Sequence, residues 1–177
     1  MQYTAHYESP LGGLLLAADD VGLTGLWFDG EKYYALHLAR EHEMRQTAVH
    51  EQTAAWLDVY FSGREPDFMP PLHLIGTPFQ KEVWALLRQI PYGKTTTYGA
   101  LAKTLAAQRG LERMSAQAVG GAVGHNEISI LVPCHRVVGT GGSLTGYAGG
   151  VDKKKALLEL EGVSMEGLFV PKRGTAL

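Results

Sequence analysis

The chain contains a single cysteine, Cys134, among its 177 residues. One cysteine cannot form an intramolecular disulfide, and it cannot supply a cysteine-rich zinc site. It is therefore either an inert buried thiol or a nucleophile. His135 and Arg136 follow it directly, and either side chain, when cationic, favours the thiolate. These three residues alone leave both interpretations open, because buried structural cysteines are common.

The segments on either side of Cys134 favour a functional site. Residues 128–132 are nearly all apolar and mostly β-branched, which predicts a short buried strand. Pro133 lacks an N–H group and ends that strand, so we expect the thiol at a strand end. Residues 139–150 contain six glycines, which expose backbone donors and allow a ligand to approach closely. A plain flexible loop is the alternative.

Composition and charge limit the class of protein. No apolar run approaches the roughly 20 residues of a membrane span, and the N-terminus does not resemble a secretory signal. With a free cysteine, this indicates the cytoplasm. The net charge is −2, but residues 1–76 carry 4 Lys/Arg against 11 Asp/Glu, and residues 77–177 carry 12 against 7. The basic second half indicates an anionic partner; chance segregation of surface charge is the alternative.

The first half predicts a small sheet followed by a helix. Residues 3–8, 14–18 and 23–28 read as short antiparallel strands. Residues 52–61 place four aromatic and apolar side chains on one helical stripe, ended by Gly63. Residues 30–47 show no clear period and are predicted as loop. The proline-containing residues 64–76 are predicted as the linker.

The second half predicts helices. Thr77 is an N-cap, Pro78 occupies the first helical position and Gln80 completes a capping box. A second helix is predicted after Thr97, and a third over residues 115–123. Two helices joined by a turn are compatible with a helix-turn-helix motif. Two packed core helices are the alternative.

With these segments in view, the chain resembles the O6-alkylguanine-DNA alkyltransferases. The resemblance covers essentially the whole second half in the expected order, and the first half more loosely. It implies an α/β (α+β) protein with a ribonuclease H-like N-terminal domain over residues 1–76. A mainly helical, winged-helix-like domain with a helix-turn-helix would follow over residues 77–177. The matching segments are Thr77-Pro-Phe-Gln, Ile90-Pro-Tyr-Gly, Thr97-Tyr98-Gly, Ala118-Val-Gly-Gly, Asn126, Pro133-Cys-His-Arg-Val-Val, Gly146-Tyr-Ala-Gly-Gly and Leu157-Leu-Glu-Leu-Glu-Gly.

The resemblance implies the chemistry of the site. Cys134 would take an alkyl group from guanine O6, and from O4 of alkylthymine, as a stable thioether in a single turnover. His135 would take the thiol proton, oriented by Glu161. Tyr98 would hydrogen-bond the base, and Asn126 would fix the turn before the cysteine. A thiolate suits this reaction because it is a soft, strong nucleophile.

The resemblance also implies the partner, which is duplex DNA containing O6-alkylguanine with the damaged base flipped into the pocket. The protein would act as a monomer, without cofactor, metal or membrane. Many family members have an arginine where this chain has Gln117, and Arg113 and Arg136 lie nearby in the sequence. The residues implied in substrate or DNA binding are Gln117, Ala118, Gly120, Arg136, Val137, Tyr147, Ala148, Gly149 and Lys154.

Two other functions remain compatible with the residues. A cysteine hydrolase using Cys134 and His135 would form a hydrolysable thioester and turn over repeatedly. A non-catalytic module would bind alkylated DNA and leave Cys134 unmodified.

Overall fold

The computed structural model describes residues 1–172. It divides into two compact units. The first contains Met1–Ile75 together with Glu127–Ser129, and the second contains Gly76–Asn126 and the chain from Ile130 onward. The predicted fold class is confirmed, since the first unit is built on a sheet and the second on helices. Among the described residues, no helix has both the length and the apolar character needed to cross a membrane.

The first unit is a four-stranded sheet with one helix. Strands β1 (Gln2–Ser9), β2 (Gly12–Ala18) and β3 (Leu23–Phe28) form the predicted antiparallel meander. A fourth strand, β4 (His42–Met44), pairs in parallel with β1 and gives the order β3-β2-β1-β4. The sequence does not predict β4, because its three residues are exposed and show no apolar alternation.

Helix α1 (Ala48–Phe61) covers the sheet of this unit. Its buried side chains include Trp56 and Tyr60, whose rings stack with centroids 5.2 Å apart. The helix begins four residues before the predicted start. The reason is an unusual cap, in which the Thr47 N–H donates to Nδ1 of His50 at 3.0 Å, where glutamate or glutamine is the usual partner.

A buried carboxylate joins the segment Glu127–Ser129 to the sheet of the first unit. Leu26 N–H donates to the Glu127 carbonyl at 2.8 Å, and Ser129 N–H donates to the Leu26 carbonyl at 3.0 Å. The Glu127 side chain accepts a hydrogen bond from Trp27 Nε1 at 3.2 Å and lies 2.9 Å from Nδ1 of His37. The segment therefore completes the first unit, although it lies far along the chain.

The predicted strand over residues 128–132 is wrong. In the described residues this segment forms only an isolated bridge, between Ile128 and Leu26. Ile130 then adopts a φ of 71°, a left-handed conformation that is rare for a β-branched residue, and the chain turns. The apolar segment is buried, as predicted. However, residues 128–132 are buried without pairing as a strand within the described residues, apart from the bridge at Ile128.

The second unit consists of helices and one short parallel pair of strands. Thr77 caps the first helix as predicted, accepting a hydrogen bond from Gln80 N–H at 3.1 Å. The predicted second and third helices are also confirmed, and the segment between them spans residues 109–115. The elements are α2 (Pro78–Leu87), β5 (Thr96–Thr97), α3 (Tyr98–Gln108), α4 (Ala116–Gly124), β6 (Val137–Val138), which pairs with β5, and α5 (Val151–Leu160).

Candidate active site

Cys134 opens a one-turn 3-10 helix, Cys134–Arg136, and its side chain is buried. Nδ2 of Asn126 donates to Sγ of Cys134 at 3.3 Å and to the Val132 carbonyl at 2.8 Å. A donor aimed at sulfur stabilises the thiolate more than the thiol. Because Asn126 lies two residues after the end of α4, it also ties that helix end to the turn that carries the cysteine.

The imidazole of His135 is fully buried beside a carboxylate. Its Nε2 lies 2.5 Å from Oε2 of Glu161, and burial lowers the pKa of His135. Since a carboxylate accepts hydrogen bonds, Nε2 carries the proton of the neutral ring. Within residues 1–172, Nδ1 has no hydrogen-bond partner. Nδ1 of His135 is therefore the nitrogen that can accept a proton.

Glu161 follows α5 directly, and its carboxylate accepts several hydrogen bonds. Besides His135, the donors include Nε of Arg136 at 2.8 Å and the Gly93 backbone N–H at 3.1 Å. Burial by itself would raise the pKa of Glu161, but the bonds to His135 and Arg136 outweigh it and lower that pKa to about 2. The carboxylate is therefore ionised at neutral pH. The contribution of Gly93 was missed, although it belongs to the quoted segment Ile90-Pro-Tyr-Gly.

Arg136 lies inside the site, not on the exposed surface expected of a DNA contact. Its side chain is buried, and Nη1 donates to the Ile90 carbonyl at 2.8 Å. Its guanidinium also lies 5.7 Å above the ring of Tyr92. The guanidinium takes this position because the ionised Glu161 holds it there.

A buried lysine connects three parts of the site. The ammonium group of Lys154 donates to the carbonyls of Val137 and Thr145. Burial lowers the pKa of Lys154 to about 8, and the charge of Cys134 acts in the opposite direction and raises it. A thiolate at Cys134 and the ammonium of Lys154 therefore stabilise each other.

Tyr98 begins α3 and donates its hydroxyl to the same Thr145 carbonyl at 3.1 Å. Burial, together with the charge of Cys134, raises the pKa of Tyr98 well above its ordinary value. The hydroxyl therefore keeps its proton and remains a donor. The sequence does not point to Thr145, because this residue contributes a backbone carbonyl that any residue type can supply.

The predicted closing loop lies directly before α5. Tyr147 is buried, and its ring meets the His135 ring edge-to-face with centroids 6.4 Å apart. Ala148 and Gly149 are half-buried. Val137 is buried in β6. The structure thus brings the loop and the catalytic candidates together in one unit.

The predicted recognition helix, α4, exposes only part of its surface. Gln117 and Ala118 are exposed, whereas Gly120 is buried. A Cβ atom placed on Gly121 would meet nothing within 4 Å. The glycine on the open face is therefore Gly121 and not Gly120, because the helical repeat turns position 120 inward.

The glycine-rich loop contains one position that only glycine can occupy. Gly142 has a φ of 94°, and a Cβ atom there would lie 1.9 Å from the Gly167 carbonyl oxygen. Gly142→Ala should therefore displace the loop, lower the free energy of unfolding by more than about 2 kcal/mol and slow single-turnover transfer. Urea unfolding and single-turnover kinetics measure the two effects.

Gly141→Ala is the matched control for that variant. Gly141 has a φ of 81°, but a Cβ atom there would meet nothing within 4 Å. It should lose about 1–2 kcal/mol through the left-handed backbone alone. Equal losses in the two variants would show that the contact with Gly167 does not position the loop.

Metal ligands do not cluster in the described part of the chain. No group of three or more His, Cys, Asp or Glu side chains within residues 1–172 is placed to hold a metal ion.

The fold and the site define a class of two-unit proteins in which a helical unit carries a buried cysteine beside a histidine–glutamate pair. Residues 78–163 match the family model of the 6-O-methylguanine DNA methyltransferase, DNA binding domain, and residues 2–74 match that of its ribonuclease-like domain. The chain belongs to the 6-O-methylguanine DNA methyltransferase family.

Curated relatives agree with this assignment. The methylated-DNA–protein-cysteine methyltransferase of Methanosarcina acetivorans is 42% identical over 161 residues, which cover 90% of this chain and 98% of the relative. The protein of the same name from Haemophilus influenzae is 38% identical over 160 residues, covering 90% and 86%.

Solved structures agree as well. The crystal structure of Mycobacterium tuberculosis OGT in complex with DNA superposes with a TM-score of 0.77 at 41% identity, covering 90% of this chain and 92% of that one. An O6-methylguanine DNA methyltransferase from Methanococcus jannaschii gives a TM-score of 0.61 at 27% identity, covering 97% and 99%.

Proposed function

We propose that this protein repairs duplex DNA by moving an alkyl group from O6 of guanine to Sγ of its own Cys134. The observation that carries the proposal is the environment of that thiol. The only cysteine of the chain lies in the unit that matches the DNA-binding family domain, against the Asn126 amide and within the field of the Lys154 ammonium.

Activation of the thiol starts at His135. The Cys134 thiol gives its proton to Nδ1 of His135, directly or through one water molecule. The imidazolium that forms is stabilised by the ionised Glu161, which also fixes the ring orientation. The donor on Asn126 and the charge on Lys154 then stabilise the thiolate until it attacks.

The transfer step breaks one bond and forms another. The sulfur attacks the alkyl carbon, the carbon–O6 bond breaks, and its electron pair remains on the guanine. The Tyr98 hydroxyl keeps its proton, and it turns from the Thr145 carbonyl to donate a hydrogen bond to the base as negative charge develops. The product on Cys134 is a thioether, which water does not cleave, so each protein molecule acts once.

Access to O6 requires the base to leave the helical stack. We propose that α4 enters the minor groove with Gln117 and Ala118 on the DNA side. The loop of Tyr147, Ala148 and Gly149 then closes over the flipped base, and the Val137 backbone lies beside it. The minor groove reads sequence poorly, which suits damage that occurs anywhere.

Intact-mass spectrometry tests the function directly. After incubation with a duplex containing one O6-methylguanine, peptide mapping should locate the added methyl group on Cys134. The same duplex without the lesion should leave the mass unchanged. Unmodified protein alongside a demethylated duplex would contradict the proposal.

The two other functions predict different products. A cysteine hydrolase would continue to release product after one equivalent of substrate, and a non-catalytic binding module would leave both partners unchanged. The comparisons favour neither, since the curated relatives are named as cysteine methyltransferases.

Gln117 provides a further test. We propose that residue 117 fills the gap that the flipped base leaves in the duplex. A neutral side chain stabilises this state less than a cation would, because phosphates lie nearby. Gln117→Arg should raise duplex affinity or single-turnover rate and steepen the salt dependence of binding by about one unit at most. The free modified base needs no flipping and should react at an unchanged rate. Fluorescence anisotropy and quenched single-turnover assays measure both.

Gln89→Arg adds the same charge at an exposed position after α2 and serves as the control. Equal rate effects of Gln117→Arg on duplex and free base would place residue 117 in pocket chemistry. A loss of duplex repair would show that the first turn of α4 requires glutamine at position 117.

We further propose that the protein works in the cytoplasm as a monomer. Its functional domains would be residues 1–76 and 77–177, except that Glu127–Ser129 packs as part of the first unit. The proposed chemistry uses Cys134, His135 and Glu161, which lie in one helical unit, and it calls for no residue from a second copy. Analytical ultracentrifugation with and without duplex tests the oligomeric state.

A further inference from the structure

Helix α4 contains no charged residue. Its sequence from Ala116 to Gly124 consists of small and apolar residues apart from Gln117. Binding of a protein to duplex DNA depends mainly on cations that neutralise phosphates. If α4 lies in a groove, the cations that contact the backbone must come from the chain around it.

Two of the neighbouring arginines are already engaged. Arg136 is buried against Glu161 and the Ile90 carbonyl. Arg109, at the end of α3, forms an ion pair with Glu82, with Nη2 and Oε2 2.8 Å apart. Neither guanidinium is available to a phosphate without breaking these bonds.

An open cleft of about 240 Å³ lies between α3 and the start of α4. Its walls include Lys103 on α3 and Arg113 on the connecting segment, and Ala116 closes one end. Both cations are exposed, and within residues 1–172 neither forms an ion pair or a hydrogen bond. Glu112 also lines the cleft, so the cleft carries two positive charges and one negative charge.

The connecting segment explains why the cleft exists. It spans residues 109–115, whereas the turn of a helix-turn-helix usually has three or four residues. Arg113 lies on this longer segment and lines the same cleft as Lys103. The small side chains of Ala102, Ala106 and Ala116 leave the space between them open.

We propose that Lys103 and Arg113 bind the phosphate backbone of duplex DNA beside the start of α4. The proposal rests on the proposed function, since it concerns the same DNA partner. Arg113 supplies a planar donor fork and Lys103 a compact charge, a combination suited to phosphate oxygens. The pair provides the positive charge that Gln117 does not.

The salt dependence of duplex binding tests this pair. Lys103→Gln and Arg113→Gln should each weaken binding and reduce the slope of log affinity against log salt by about 0.9, and the double variant by about 1.8. Glu112→Gln should strengthen binding. Alkylation of Cys134 by the free O6-methylguanine base should stay unchanged in all three single variants.

Lys155→Gln is the matched control, because Lys155 is exposed on α5 and lies 3.7 Å from Glu159. A double Lys103/Arg113 variant with the same slope as Lys155→Gln would overturn the proposal. Slower reaction with the free base would also overturn it, since the pair would then support the fold of the pocket. Anisotropy with an undamaged duplex needs no transfer, so failure of the proposed function would not obscure this result.

Discussion

Incubated with excess duplex carrying O6-methylguanine, this protein is expected to gain one methyl group on Cys134 and then stop. The mass increase should be about 14 Da, because a methyl group replaces the thiol hydrogen as a thioether. Repair plotted against protein should be linear and end at one lesion per molecule. Quantitative intact-mass spectrometry alongside analysis of the repaired duplex provides both numbers.

Cys134→Ser should abolish the transfer while retaining most of the duplex affinity. Serine is close in size to cysteine, but its hydroxyl is a much weaker nucleophile, and a loss of several orders of magnitude in rate is expected. Anisotropy with lesion-containing duplex supplies the binding control. Release of product beyond one equivalent by the unmodified protein would replace the suicide mechanism with a hydrolytic one.

The second large effect is expected from Glu161→Gln. A glutamine of the same shape loses the charge that holds His135 and leaves the buried Arg136 without its counter-ion. Loss of one partner of a buried ion pair costs about 3–5 kcal/mol, and impaired general-base catalysis slows transfer by about 10²–10⁴-fold. Urea unfolding and single-turnover kinetics separate the stability effect from the rate effect.

Glu159→Gln, on the exposed side of the same helix, is the control. Its carboxylate contacts Lys155 at 3.7 Å, with both side chains about half exposed, so its loss should change stability by less than about 0.5 kcal/mol. Similar behaviour of the two variants would mean that the His135–Glu161 contact plays no part in activating the thiol.

The pH dependence of stability should carry the signature of this cluster. Because the pKa of Glu161 falls from 4.5 to about 2 on folding, its contribution is complete above pH 4.5 and is lost as pH falls from there toward 2. Burial lowers the pKa of His135 below 6.5, so the unfolded chain takes up that proton first. Stability should therefore fall as pH drops below 6.5, and fall further below 4.5. The second fall should be smaller in Glu161→Gln, and the part that remains comes from carboxylates such as Asp19, whose pKa is also lowered in the folded protein.

Much of the fold could be predicted because local signals and final structure agree. Thr77, Pro78 and Gln80 specify a helix start by themselves, and the meander follows from short strand-like runs separated by turn residues. The short strand β4 and the turn at Ile130 could not be predicted, since both depend on neighbours distant in the sequence.

The site shows the same division. Cys134, His135 and Glu161 were identified from the sequence motif, and they do lie together. The inward position of Arg136 and the Thr145 carbonyl could not be predicted, because they follow from how α3, α5 and the 3-10 turn pack. Likewise, only the three-dimensional helix shows that Gly121 is the glycine on the open face of α4.

The position of Glu127–Ser129 within the first unit has a practical consequence for protein engineering. A fragment ending near residue 76 would lack the acceptors that Glu127 provides to the Leu26 N–H and to Trp27 Nε1. Its sheet would carry unsatisfied donors in a buried region, each costing about 1–3 kcal/mol. The first unit is thus not a module that can be transplanted as one continuous segment. Exchanging it between relatives would also require replacing the three residues Glu127–Ser129.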